Sequence, residues 1–410
     1  MKAVCIEDFR SEAQKRLPPF LFHYIDGGAY EERTYHQNVD DLQAVELRQR
    51  VLRDVSAIDM TITLFGSDYA LPFGLGPIGL AGMNACRGEV QAAKAAANAN
   101  IPFCLSTVSA CSLDEVADDS ETPFWFQLYI MRDRTFLNHM IEKAEAAQCS
   151  ALIVTVDMPV PGLRRRDYRT GLAGAPGVLG ATRRALQAAT RPHWSWDVGV
   201  CGQPHTLGNV APLLGSNTGL EDFFAWMGSN FDPTVTWSDI EYIRSIWSGP
   251  LILKGILDPD DASRAADVGA DGIVVSNHGG RQLDGVPSSI RALPAISRAA
   301  GADLTILMDG GVRSGLDIVR ALASGADFVL LGRAWVYALG AAGQAGIERM
   351  TEIIKSEMEI AMALTGCTSL SDLTADILYT GDLQMGSDVP VLAEKRTAQG
   401  KSISRRKVLG

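Results

Sequence analysis

In the stretch SNHGGRQLDG, residues 276–285, a serine, a histidine and an arginine fall within six positions of one another. An imidazole titrates near neutral pH and can take a proton from a substrate. A guanidinium three residues on can hold a carboxylate through two parallel hydrogen bonds. His278 and Arg281 therefore suggest proton abstraction from a small acid anchored by its carboxylate. A single histidine after a strand is more often structural, but an arginine beside it on the same face reverses that expectation. Lys254 ends the apolar run PLILK. It could form a Schiff base, as in a class I aldolase, or stand as a fixed cation beside a developing anion. Asp157 is a candidate to hold the second nitrogen of His278, and Arg164 to share the carboxylate with Arg281.

A second group of residues suits phosphate. LMDGGVRSG (307–315) offers Asp309, the backbone N–H groups of Gly310 and Gly311, and Arg313, while LLGRA (330–334) adds Arg333. Exposed backbone N–H groups with arginines at the last two strands of a barrel are a common phosphate site. Together with the anion clamp they suggest a phosphorylated cofactor next to a small acid. GLGPIG (74–79) matches G-x-G-x-x-G literally. Pro77 and the delay before a helix near Glu89 argue against a dinucleotide fold there.

These residues need elements that bring them to one face. AADVGADGIVVSN (265–277) and ALASGADFVLLGR (321–333) share a pattern of helix end, Gly-Ala-Asp and short apolar strand. Glycine suits a helix stop, and a fully apolar strand suits a parallel sheet covered on both sides. AEAAQCSALIVTVD (144–157) is a looser copy. Eight such strands are predicted, at 71–78, 101–105, 124–130, 151–156, 250–254, 271–276, 304–309 and 327–332. Helical stretches between most of them favour an α/β fold, a (β/α)8 TIM barrel, over an open sheet. The strand ends carry Ser106, Gln127, Tyr129, Thr155, Asp157, Lys254, Ser276, His278, Asp309 and Arg333. A barrel gathers all of these at its C-terminal face. One barrel domain is expected over 1–380, with an N-terminal helical segment (1–70) and a long insertion after strand four (158–235). A tail would occupy 381–410.

Bulk properties exclude some classes. A net charge of −11 over 410 residues gives no general affinity for nucleic acid. The seven cysteines include no C-x-x-C pair, which points to a reducing compartment and no metal site. The start, MKAVCIEDFR, has acids where a secretory signal needs an apolar core, and no apolar run is long enough to span a bilayer. The expectation is a cytoplasmic protein, soluble or peripheral on the inner face of the cell membrane. Residues 158–196 hold seven arginines, with Trp194 and Trp196 near their end. That basic island reads either as a solvated lid or as a contact for anionic lipid.

The chain resembles the FMN-dependent L-2-hydroxy-acid dehydrogenases and oxidases. SNHGGRQLDG matches that family's active-site signature, and LPPFLFHYIDGGAYEE, GEVQAAKAA, WFQLYI, TVDMPVPG, NFDP, KGILDP and RALPAI also fit, over roughly 1–380. The resemblance implies FMN, with the backbone of Pro77, Ile78 and Gly79 and the side chains of Ser106, Gln127, Thr155, Lys254 and Ser276 around the isoalloxazine. Asp309, Gly310, Gly311, Arg313, Gly332 and Arg333 would hold its phosphate. It assigns Tyr24, Tyr129, Arg164 and Arg281 to the substrate, His278 to proton transfer and Asp157 to its support. The expected substrate is L-lactate, with a quinone or other respiratory acceptor and a homotetrameric assembly. A mandelate-type dehydrogenase, for which Gly79 would leave room, and an oxygen-using oxidase are the competing readings.

Overall fold

The computed structural model describes residues 2–120, 122–175, 177–203, 207–211 and 229–379. The expected tail and residues 212–228 of the insertion lie outside them. Three helices open the chain: α1 (Ile6–Arg16), α2 (Pro19–Asp26) and α3 (Arg33–Gln43). Helix then stops earlier than the sequence suggests, and β1 (Ile62–Leu64) and β2 (Ser67–Tyr69) form an antiparallel hairpin. Phe65 and Gly66, both at positive φ (50° and 82°), make its turn, the twist that two-residue hairpins require. Strands of three residues show too little alternation to be read from sequence.

Eight parallel strands follow: β3 (Phe73–Leu75), β4 (Cys104–Ser106), β5 (Trp125–Tyr129), β6 (Ala151–Thr155), β7 (Leu251–Ile256), β8 (Gly272–Val275), β9 (Thr305–Met308) and β10 (Phe328–Leu331). They pair in sequence order from β4 to β10, and β10 pairs with β3. A bridge between Leu75 and Phe103 closes the ring, giving the expected (β/α)8 barrel. All of their residues are buried except Gly255 in β7 and Thr305 in β9, because helices cover the outside.

One core cluster is the barrel interior: Cys104, Trp125, Ile153, Ile252, Val274, Leu307, Phe328 and Leu330 pack there with Leu64 of the hairpin. Phe65 and Tyr69 also lean on this cluster, and Trp125 Nε1 donates to Tyr69 Oη at 3.3 Å. The hairpin thus plugs the N-terminal end of the barrel. At the other end, the next inward positions are Ser106, Gln127, Thr155, Lys254 and Ser276, each two residues after an interior apolar side chain. A strand period of two makes that placement obligatory.

The N-terminal helices reach that same end. Asp26, at the end of α2, is buried and accepts hydrogen bonds from Arg10 (2.6 Å), Arg166 (2.7 Å) and Tyr337 (2.7 Å). Burial alone would raise its carboxyl, but these three partners outweigh it and hold it far below the usual range. The insertion after β6 packs on the same helix. Gln187 Oε1 accepts from Phe20 N at 2.9 Å, and Arg191 donates to Leu17 O at 3.1 Å. Trp194 is not a surface residue: it is buried edge-on against Phe20, and its indole donates to Met83 O at 2.8 Å. Most arginines of the island are engaged within the protein rather than left free. Arg165 pairs with Glu31, Arg166 with Asp26 and Glu32, while Arg183 and Arg184 donate to carbonyls of Arg169 and Gly171.

Candidate active site

A cavity of about 1070 Å³, counting its open mouth, lies at the C-terminal end of the barrel. Its size suits a cofactor with a small substrate. His278, Lys254, Tyr129, Arg164, Arg281 and Tyr24 all line it. So do Pro77, Ile78, Gly79, Asp309, Gly310, Gly311, Arg313, Gly332 and Arg333. The remaining sequence candidates are not among the lining residues: Ser106 ends β4, Gln127 lies in β5, Thr155 ends β6 with Asp157 two residues beyond, and Ser276 follows β8.

The histidine is held on two sides. Its Nδ1 lies 3.0 Å from Asp157 Oδ1 and 3.2 Å from Oδ2, and its backbone N–H donates to Ser276 Oγ at 3.0 Å. With Nδ1 donating to the carboxylate, Nε2 is left as the basic nitrogen. Burial would raise the Asp157 carboxyl, but His278 and Lys254 hold it below its ordinary value. His278, Gly279 and Gly280 all have positive φ (57°, 62° and 72°). A Cβ on Gly279 would stand 2.8 Å from an Arg333 nitrogen, and one on Gly280 would stand 2.5 Å from Tyr35 N. Only glycines let this loop turn so tightly between Arg333 and α3. Gly255 plays a related part across the dyad: it sits at an irregularity in the β7–β8 register with φ 110°. A Cβ there would lie 2.5 Å from Asp157 Cβ.

Lys254 answers the Schiff-base question. Its Nζ is 2.8 Å from Asp309 Oδ2 and donates to Ser276 Oγ at 2.9 Å. Burial would lower it, yet Asp309 and Asp157 hold it above its ordinary value. A nucleophilic lysine needs the opposite shift, so the ion pair with Asp309 favours the fixed cation over the Schiff base.

Two arginines converge on Tyr24. Arg281 Cζ lies 5.0 Å and Arg164 Cζ 5.6 Å from its ring centroid. Arg164 is paired with Asp167 at 2.8 Å, whereas Arg281 donates to the carbonyls of Tyr24 (2.7 Å) and Gly27 (2.9 Å). Among the described residues Arg281 has no carboxylate partner. Burial and the nearby Arg164 pull its pKa down to about 10 against the opposing pull of Tyr24 and Asp167, so it stays charged with no carboxylate in direct contact. Such a site favours an anion strongly. The Arg333 guanidinium lies 4.6 Å from the Tyr35 centroid and donates to the carbonyls of Ile25, Gly27 and Gly279. It clasps the N-terminal segment to the histidine loop as well as lining the cavity.

Two buried side-chain atoms at this end of the barrel, Gln127 Nε2 and Asp309 Oδ1, have no hydrogen-bond partner among the described residues. Leaving them unpaired is costly. The site therefore offers a free donor and a free acceptor to a polar cofactor, with Gly310, Gly311 and Arg313 lining the cavity where a phosphate could sit.

Several positioning residues carry no sequence signal of chemistry. Asn38 and Asn277 exchange paired amide hydrogen bonds at 2.8 and 2.7 Å. Gln282 Nε2 donates to the carbonyls of Asp157 (2.9 Å) and Val160 (3.0 Å), while its Oε1 accepts from Gly162 N (2.9 Å). Asp284 accepts from Thr34 N at 2.8 Å, at the start of α3. Only their place inside SNHGGRQLDG, or in the helices facing it, could have pointed to them. Gly79 also reads differently in space. A Cβ there would meet Val108 Cγ2 at 2.8 Å and Tyr24 Oη at 3.3 Å, so Val108 already fills the room a glycine might leave.

Comparison with known proteins agrees with this geometry. The sequence matches the FMN-dependent dehydrogenase family over residues 13–380. It is 57% identical over 371 residues to an L-lactate dehydrogenase of Ectopseudomonas mendocina (strain ymp), covering 90% of this chain and 97% of that protein. An L-lactate dehydrogenase of Caulobacter sp. (strain K31) is 60% identical over 375 residues, covering 92% and 98%. The solved structure of a monotopic membrane protein, (S)-mandelate dehydrogenase, superposes with a TM-score of 0.87 at 34% identity, covering 93% of this chain and 100% of that one. A mandelate oxidase superposes with a TM-score of 0.78 at 35% identity, covering 91% and 97%.

Two outcomes follow from the electrostatics. Because the Asp157 pKa is depressed on folding, its contribution to stability is full above the ordinary carboxylate range and fades as pH falls through the depressed value. Urea unfolding from pH 7 to pH 3 should show wild type and Asp157→Asn converging toward the acid end. Oxalate, a compact dianion, should stabilise the wild type by about 2.7 kcal/mol at a hundred times its Kd. Thermal melts of Arg281→Met should lose most of that shift.

Proposed function

Because the chain belongs to the FMN-dependent dehydrogenase family, we propose that it oxidises L-lactate to pyruvate at the His278 cavity. Electrons then pass to a membrane quinone or another respiratory acceptor. The observation that carries the substrate class is the half-buried Arg281, held by backbone carbonyls and by no carboxylate among the described residues, beside a histidine–carboxylate dyad 3.0 Å across. Lactate is favoured over mandelate by relatives of that name at 57% and 60% identity and by Val108 closing the space beside Gly79.

FMN, the family's cofactor, supplies when bound an aromatic ring system that accepts two electrons. Ser106, Gln127, Thr155, Lys254 and Ser276 would hold that ring system, with the unpaired Gln127 Nε2 as a ready donor. Asp309, Gly310, Gly311, Arg313, Gly332 and Arg333 would hold the phosphate end. Lys254, kept protonated by Asp309, offsets negative charge gathered during the reaction.

The other residues act on the substrate. Arg281, Arg164 and Tyr24 bind the carboxylate and fix its orientation. Tyr129 keeps its proton, because burial and the nearby Asp157 raise its pKa, and donates to the substrate hydroxyl oxygen. His278 Nε2 takes the proton, and Asp157 stabilises the imidazolium that results. Either the hydroxyl proton or the α-proton is compatible with this base.

The apolar outer face of the insertion supports the membrane part of the reading. Val178 and Leu179 are each 84% exposed, Leu186 65% and Trp196 68%. Among the described residues no helix is long and apolar enough to cross a membrane, so contact would be peripheral.

Anaerobic addition of L-lactate should bleach the yellow protein faster than L-mandelate or glycolate does. His278→Asn should keep the colour and lose about 10²-fold or more in turnover; near-wild-type turnover would remove His278 from its role. In a flotation assay with phosphatidylglycerol vesicles, Leu179→Ser with Trp196→Ser should lower the bound fraction about tenfold. Equal flotation of variant and wild type would count against lipid contact by this face.

A further inference from the structure

Three chain segments run side by side at the mouth of the cavity. Ala29 N donates to Gly280 O at 2.8 Å, and Tyr30 N donates to Leu163 O at 2.9 Å. Gln282 binds the carbonyl of Val160 (3.0 Å) and the N–H of Gly162 (2.9 Å). A Cβ on Gly162 would stand 2.3 Å from Arg281 O, so nothing separates the second segment from the third. These segments present four apolar side chains to solvent: Val160 at 60% exposure, Leu283 at 64%, Tyr30 at 42% and Leu163 at 40%. Pro161 and Arg164, adjacent in the chain to Val160 and Leu163, and Arg281, two residues before Leu283, line the cavity directly. The four side chains therefore form an apolar collar around the opening.

Neighbouring charges do not offset this apolar character. Glu31 is paired with Arg165, and Asp284 spends its carboxylate on the N–H groups of Thr34 and Glu31. Lactate, a small anion, gains nothing from an apolar rim. A protein partner needs about 800 Å² on each side of a stable interface, far more than four side chains offer. A planar apolar ring of the size that enters the cavity gains from every one of them.

From this we infer that the collar of Tyr30, Val160, Leu163 and Leu283 is the docking site for a quinone-class electron acceptor. The inference rests on the reading of the chain as a dehydrogenase that uses such an acceptor. The balance is closed: the C–H and O–H bonds of the hydroxyl-bearing carbon break, and the two electrons and two protons reappear in the two O–H bonds of the quinol. The collar acts only on the second half of this exchange, because it lies outside the residues that hold the hydroxy acid.

The test separates the two halves. Holoenzyme reduced anaerobically with L-lactate is mixed in a stopped-flow instrument with a short-chain benzoquinone, and in parallel with ferricyanide. Val160→Ser with Leu283→Ser, both at exposed positions, should slow reoxidation by the quinone about tenfold, the equivalent of about 1.4 kcal/mol of lost contact. Reduction by lactate and reoxidation by ferricyanide, a hydrophilic ion, should keep their wild-type rates. An unchanged quinone rate in the variant, with a wild type that does react, would overturn the collar alone. A wild type that the quinone fails to reoxidise would overturn the acceptor reading and the collar with it. Equal slowing with both acceptors would also overturn the collar, since it would mark a general disturbance of the site.

Discussion

Closure of a parallel barrel leaves each strand a single choice: alternate side chains point inward, and the rest face the helices. Every other feature of the site depends on that constraint. Trp125 faces the interior, so Gln127 must as well; Ile252 does, so Lys254 follows, and Val274 commits Ser276. The apolar layer and the polar layer are thus one pattern, read two residues apart. A slip of one residue in β7 would send Lys254 toward the helices and break its contacts with Asp309 and Ser276. The irregularity at Gly255 shows how the constraint is relaxed once it has done its task, letting the chain bend where Asp157 needs space.

The second organising force is a concentration of buried cations in an acidic protein. Lys254, Arg164 and Arg333 are buried and Arg281 is half-buried, although the chain carries a net charge of −11. Asp309 answers Lys254 and Asp167 answers Arg164. Arg281 and Arg333 are held by backbone carbonyls and aromatic faces instead. Carbonyl dipoles keep a guanidinium in position without neutralising it, so its charge remains available to an incoming anion.

Much of this was legible in the sequence, for physical reasons. Apolar strands with polar ends at regular spacing announce a barrel, and SNHGGRQLDG places its base and its clamp on one loop. Tyr24 was not visible that way, because it reaches the site on α2, far from any strand, and only the resemblance supplied it. Asn38, Gln282 and Asp26 act through partners more than a hundred residues away, a separation that no local pattern encodes. Trp194 illustrates the reverse error. Arginine and tryptophan in one insertion read as an interface, but Trp194 packs inside against Phe20, and several of the arginines fasten the insertion to itself or to the N-terminal helices. The exposed apolar side chains on the same segment, which composition alone does not single out, are what remain on the outside.

The β1–β2 hairpin has a consequence at the opposite end of the barrel. Because it stoppers one end, the cavity around His278 opens at the other, beneath the N-terminal helices and the insertion. On the proposed reading, hydroxy acid, keto acid and electron acceptor would all pass through the mouth at that end. Such an enzyme would take turns, the first product leaving before the second substrate enters, with parallel double-reciprocal plots. An excess of hydroxy acid, by occupying the mouth out of turn, would then inhibit its own oxidation.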